Sequence, residues 1–221
     1  QQRRFVADAS HELKTPLTVI LANLGVLLAH ENESIRDNRQ WVDNSREEAV
    51  RMKGLVEDML FLARSDADQT PMVTERVNLS DLLWSSLLSF EPVAFEQGVG
   101  LHSQVEPGRF VQGAASQLQQ LFAILLDNAV KYAGEHGEVW VELGQKEGKT
   151  VLSVRNTGAP IPEESLAHVF DRFYRVDAAR SREQGGYGLG LAIAQRIAEG
   201  HGGRITAESS PAHGTVFRVT F

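Results

Sequence analysis

Two heptad seams in the first third of the chain limit its fold more than any other feature. Val6, Leu13, Leu17, Ile20, Leu24 and Leu27 recur mostly at alternating spacings of four and three. Val42, Ser45, Ala49, Met52, Val56, Met59 and Ala63 repeat the pattern. Side chains spaced this way line one face of a helix and pack helices at shallow angles. Between the seams lies HENESIRDN, residues 30–38, a polar turn that folds the two helices into a hairpin. A two-helix hairpin cannot bury a full stripe alone, so a homodimer forming a four-helix bundle is expected.

The period then changes. ARSDADQTP, residues 63–71, reads as a linker. MVTERVNL and LHSQV read as strands, with a helix from about Ser80 to Glu96 between them. SQLQQLFAILLDNAVKYA is a strongly apolar helix with Ser116 as its expected N-cap. EVWVELGQKEGKTVLSVRNTG predicts one hairpin, and RITAESS with TVFRVTF predicts a second. One more helix, about Leu189 to Glu199, is ended by HGG. Mixed helices and hairpins predict an α/β sandwich, with helices on one face of a mixed sheet. The expected division is a helical hairpin over residues 1–68 and a sandwich over 73–221.

Composition narrows the chemistry. A net charge of −7 argues against bulk affinity for nucleic acid or anionic lipid. The absence of cysteine removes disulfides, thiolate catalysis and zinc–sulfur sites. No run is read as long enough for a membrane span, and no signal peptide is seen. The opening Gln1-Gln2-Arg3-Arg4 lacks an initiator Met and leads straight into a helical pattern, which reads as a fragment of a longer protein. A membrane anchor is expected only through upstream segments, with this fragment cytoplasmic.

DASHELKTPLTV, residues 8–19, combines that helix with reactive groups. At about 100° per residue His11 lies about 200° from Leu13, facing away from the seam. A carboxylate beside it, Glu12, can accept the imidazole proton and raise its nucleophilicity. One turn on, on the same face, the Thr15 hydroxyl can hold a water. Pro16 cannot donate to the Glu12 carbonyl, and such a residue costs a helix interior about 3 kcal/mol. From this stretch alone, a surface histidine above a packing kink competes evenly with a nucleophile above a bend point.

A second group falls in the sandwich. Asp127, Asn128, Lys131 and Tyr132 form a compact polar patch on an apolar helix. An amide oxygen suits a hard cation and a nearby ammonium suits phosphate, so the patch fits a Mg²⁺–polyphosphate ligand; a plain exposed helix edge is the alternative. In RNTGAPIP, Gly158 permits positive φ and close approach of backbone to a ligand. Gly185, Gly186, Gly188 and Gly190 lead into a helix N-terminus, where free N–H groups and the helix dipole favour anions.

The order of these motifs resembles the catalytic core of bacterial sensor histidine kinases of two-component signalling. SHELKTPL resembles the phosphoacceptor motif, LLDNAVKY the Asn-rich nucleotide motif, and NTGAPI the Asp-x-Gly-x-Gly loop. VFDRFYRVD resembles the Phe-rich motif, GGYGLGL the second Gly-rich motif, and GTVFRVTF the closing strand. The resemblance implies a dimeric helical hairpin followed by a sandwich of the Hsp90, gyrase and MutL ATPase kind. It implies ATP-dependent phosphorylation of His11 and onward transfer to an Asp of a response regulator, which the core also dephosphorylates. Glu12 would be the base for His11, and Thr15 would position water for dephosphorylation. Asn128 would ligate Mg²⁺. Lys131, Tyr132, Asn156, Gly158, Ile161, Arg172, Phe173, Gly186, Gly188, Leu189, Gly190, Leu191 and Thr215 would meet ATP or ADP. Residues from about Glu163 to Gly188 would form a lid.

Three positions depart from the family pattern. Asn156 replaces the adenine-reading Asp, so its NH₂ needs partners of its own. Pro160 replaces the second glycine of that loop, and Ile124 an upstream Asn. The alternative they raise is a member biased to phosphatase or scaffold work.

Overall fold

The computed structural model describes residues 2–66, 74–176 and 186–221. Helices α1 (Gln2–Ala29) and α2 (Arg39–Asp66) form the expected hairpin. Its turn is held by Ser34, whose hydroxyl donates to Asp37, and by the buried Asn38 amide, which donates to Glu33. Pro16 is buried inside α1, and the helix continues through it.

The expected seam stays partly uncovered. Val6, Leu17, Leu24, Val42 and Val56 remain exposed, whereas α2 buries Leu55 and Leu62, each one position before a seam residue, in a core shared with the second domain. This two-sided use of apolar surface corrects the reading that no run reaches membrane length. Phe5–Ala29 is long and apolar enough to cross a membrane by length and composition. A helix with one apolar stripe against α2 and another facing outward has that composition without needing lipid.

The second domain runs β1 (Glu75–Asn78), α3 (Leu79–Glu96), β2 (Gly100–Val105), β3 (Phe110–Gly113), α4 (Ala115–Lys131), β4 (Glu138–Lys146) and β5 (Lys149–Asn156). It continues with one-turn α5 (Glu163–Leu166), α6 (Gly190–Gly200), β6 (Arg204–Ser210) and β7 (Gly214–Thr220). Five strands form a sheet of order β2-β4-β5-β7-β6, in which only β2 and β4 pair in parallel. Its inward residues Val139, Val141, Leu152, Val154, Phe217 and Val219 are buried with Leu118, Leu121, Phe122, Leu125 and Ile193 of α4 and α6. This is the expected mixed sheet covered by helices.

One strand pairing was not foreseen and one cap expectation fails, each for an identifiable reason. β1 does not join the main sheet but pairs antiparallel with β3, a strand too short to show a period in sequence. Ser116 is not the N-cap of α4; Ala114 takes that position without a side-chain cap. The Ala114 N–H donates instead to His201 Nε2 at 3.0 Å, while Nδ1 of the same ring meets the Ile197 carbonyl at 2.7 Å. These two bonds require the neutral tautomer with hydrogen on Nδ1. A Cβ at Gly113 would lie 2.2 Å from that ring, so glycine is needed for the ring to reach the helix end. The cap comes from 87 residues away, beyond any local pattern.

Candidate active site

The polar patch stands at the C-terminal end of α4. Asn128 is partly exposed in its last turn, Lys131 ends it and Tyr132 caps it. The Lys131 ammonium lies 5.4 Å from the centre of the Tyr132 ring. A Cβ placed on Gly186 would come 3.0 Å from Lys131 Nζ, so the Gly-rich stretch closes directly on the cation. α6 starts at Gly190, with Leu189 buried beside it and Leu191 half-buried against the core. A Cβ on Gly190 would lie 3.4 Å from Ile124. The departure at Ile124 is thus a packing residue against the first turn of α6. Gly185, and residues 177–185 of the expected lid, lie outside the described residues.

The end of β5 lies beside this patch. Asn156 is 3% exposed. Its Nδ2 donates to the Tyr132 carbonyl at 3.0 Å and to the Thr157 carbonyl. Two carbonyl acceptors fix the orientation of the amide, because a flipped Oδ1 would face both. The NH₂ therefore has its partners, and Oδ1 accepts no bond among the described residues. Gly158 has φ +111, and a Cβ there would meet the Tyr132 carbonyl at 2.1 Å. Thr157 Oγ1 donates to Ala133 O at 2.7 Å, which ties the loop to α4. Ile161 N–H donates to Ser209 Oγ, which bonds in turn to Thr215 Oγ1. Thr215 is the register partner of Asn156. The structure thus brings Asn128, Lys131, Tyr132, Asn156, Gly158, Ile161, Thr215 and Gly186–Leu191 to one region of the second domain.

His11 and Thr15 are exposed on α1. In this arrangement Glu12 Oε2 accepts from Arg175 Nη2 at 3.1 Å. Arg175 is 9% exposed at its side chain, and its buried Nε has no partner among the described residues. At the far end of α2, Asp66 accepts from Arg172 at 2.6 Å and from Arg196 of α6 at 3.2 Å. The hydrogen bond from Arg172 holds the Asp66 carboxyl below the usual range. Phe173 adopts φ +61 and packs 5.7 Å from the Phe5 ring, and its N–H donates to Gly188 O. Arg172 thus holds the hairpin, while Phe173 touches both Phe5 of the hairpin and Gly188 of the Gly-rich stretch. Burial pushes the half-buried Tyr187 hydroxyl upward.

Sequence reasoning missed Arg175, Asp66 and Arg196. Arg175 lies within VFDRFYRVD, yet its partner stands 163 residues earlier, so no spacing could reveal the pair. No group of three metal-ligating His, Cys, Asp or Glu side chains occurs among the described residues. A lone amide oxygen beside an ammonium and a glycine-rich stretch fits Mg²⁺ that takes most of its ligands from phosphate and water.

A nucleotide-type sandwich docked on a hairpin that exposes a histidine defines the class of protein. The histidine kinase A phospho-acceptor domain family matches residues 1–68, and the histidine kinase-, DNA gyrase B- and HSP90-like ATPase family matches residues 113–221. The sensor protein DltS of Streptococcus agalactiae is 38% identical over 94% of this chain and 51% of its own length. The signal transduction histidine-protein kinase ArlS of Staphylococcus aureus is 35% identical over 100% of this chain and 49% of its own. The solved structure of ShkA in complex with AMPPNP superposes with a TM-score of 0.73 at 27% identity, covering 99% of this chain and 45% of that one. The chain belongs to the sensor histidine kinases of two-component signal transduction and carries their phosphoacceptor and ATPase domains. It spans about half the length of the curated relatives it matches.

Proposed function

We propose that this chain transfers the γ-phosphoryl group of ATP to His11 and passes it to an Asp of a response regulator. The carrying observation is the convergence of Lys131, Gly186 and the oriented Asn156 amide in a domain docked on the helix that presents His11. Phosphoryl transfer asks mainly for positioning and charge neutralisation. Lys131 and the free N–H groups leading into α6 neutralise phosphate charge, and Asn156 Oδ1 accepts the adenine amino group. Asn128 would hold Mg²⁺, which would supply charge neutralisation at the phosphates when bound. His11 supplies the imidazole nitrogen and Glu12 accepts its proton once Arg175 releases the carboxylate. In the reverse direction, Thr15 holds the water that dephosphorylates the regulator. Exposed Leu17, Leu21, Leu24, Leu28, Val56 and Leu60 support a homodimer closed as a four-helix bundle. The fragment works in the cytoplasm, and upstream segments anchor the whole protein in the membrane. Residues 1–68 and 73–221 are the two functional units.

Incubation with γ-labelled ATP and Mg²⁺ tests the reading. Acid-labile label is expected on the wild type and absent from His11→Gln; label that persists in the variant refutes it. A second reading, a phosphatase-biased member, is favoured by the Glu12–Arg175 pair, because in this docked arrangement the base is occupied. It predicts slow labelling with Thr15-dependent dephosphorylation of the regulator. Fast labelling with no Thr15 dependence refutes it.

A further inference from the structure

Helix α3 carries two apolar faces, and the protein covers only one. Leu79, Leu83, Leu87 and Ala94 are buried in the core. On an adjoining side, about 115° round the helix, Trp84, Leu88 and Phe95 are 44%, 62% and 85% exposed. At 100° per residue, spacings of four and seven keep these three side chains within about 40° of one another. With a rise of 1.5 Å per residue they extend along about 16 Å of helix. Exposed Pro92 lies on the same side. Scattered exposed apolar residues need no explanation, but an aligned stripe of Trp, Leu and Phe marks an interaction site.

The rim identifies the occupant. α3 holds the acids Asp81, Glu91 and Glu96, all exposed, and its segment LSDLLWSSLLSFEPVAFE contains no Lys, Arg or His. Glu96 ends the helix and Glu91 precedes it by little more than a turn, with no basic residue in the last turn. Carboxylates at a helix C-terminus add to the negative end of the dipole. Local helix stability does not explain them, but recognition of a cation does. An anionic membrane is repelled by the same carboxylates. None of these residues belongs to the nucleotide patch or contacts the hairpin through the ion pairs described above.

We propose that the outer face of α3 docks a partner protein through a basic amphipathic helix, whose apolar side covers Trp84, Leu88 and Phe95 and whose Lys or Arg side chains meet Glu91 and Glu96. This is helix-on-groove recognition with charge complementarity setting orientation. The probe is a short synthetic leucine–lysine amphipathic helix, titrated calorimetrically into the whole chain. A leucine–glutamate helix of the same pattern and anionic vesicles serve as comparators. The lysine probe is expected to bind, with amide shifts on α3, and the triple variant Trp84→Ser, Leu88→Ser, Phe95→Ser is expected to bind it at least about tenfold more weakly. The variant side chains are exposed, so folding and autophosphorylation are expected to be unchanged. Equal binding by the triple variant, equal binding of the glutamate probe, preference for vesicles, or no binding of the lysine probe overturns the proposal. So does self-association of the chain that the triple variant abolishes, since it assigns the face to a second copy.

Discussion

The Glu12–Arg175 pair offers the sharpest test of how the two domains are coupled. The charges are 3.1 Å apart, and Arg175 is 9% and Glu12 27% exposed at their side chains. At an effective dielectric of about 20, the direct attraction is about 5 kcal/mol. Desolvating the guanidinium offsets much of that, and its buried Nε, with no partner among the described residues, costs about 1–3 kcal/mol in addition. A net coupling of about 1–3 kcal/mol remains, or roughly 5- to 150-fold in the docking equilibrium. The perturbation is a cycle of Glu12→Gln, Arg175→Met and the double variant, with the charge swap Glu12→Arg with Arg175→Glu as a fourth member. A donor–acceptor dye pair on α1 and α6 reads the docked fraction. Each single variant is expected to reduce docking, the double variant to add little further, and the swap to restore part of it. The effect should persist at high salt, because a mostly buried pair is weakly screened. Strict additivity of the single variants, or loss of the coupling in salt, would refute the reasoning.

Three other outcomes follow from the same geometry. Asp66→Asn should loosen docking by about 0.2–1 kcal/mol, the scale of exposed ion pairs, and the loss should be salt-sensitive in the same dye assay. Because the folded-state pKa of Asp66 is lowered, its contribution is present above the ordinary carboxylate range and fades as pH falls through the lowered value. Asn156→Asp should not simply restore adenine binding. It exchanges two donated hydrogen bonds for a carboxylate oxygen facing the Tyr132 and Thr157 carbonyls, so a loss of about 1–3 kcal/mol and a Tm lower by several degrees are expected in calorimetry. Asp58, pushed up to about 6 mainly by burial on α2, favours the folded state only when protonated. Stability should therefore fall as pH rises from about 4 to 6. The full shift corresponds to about 3 kcal/mol, which solvent screening reduces to roughly 1–2. Asp58→Asn should flatten that fall in denaturant titrations at several pH values.

Much of the architecture was legible because it is written in short periods. Heptads over residues 6–63 announce the hairpin, and alternating strands around Gly148 and Gly214 announce both β-hairpins. The clustering of the polar patch was legible for a related reason: Asn128, Lys131 and Tyr132 share one helix end, and the glycines precede one helix. β3 was missed because four residues show no period, and the α4 cap because His201 supplies it from another helix. The surplus apolar face of α1 was misjudged because a sequence window cannot tell a stripe meant for a partner helix from one meant for lipid.

His11 beside Glu12, the glycines before α6 and the turn after α1 depend on neighbours within a few residues, and the sequence alone determines them. Which way the Asn156 amide points, what Ile124 does, and whom Glu12 meets were decided only in three dimensions. The first two depend on groups brought together inside the sandwich and the third on packing the hairpin against it, and the energy of such a contact exists only when both partners are desolvated in the same place. Arg175 is the clearest case. In the chain it is one cation within VFDRFYRVD; in the fold it is a buried guanidinium closed on the carboxylate beside His11.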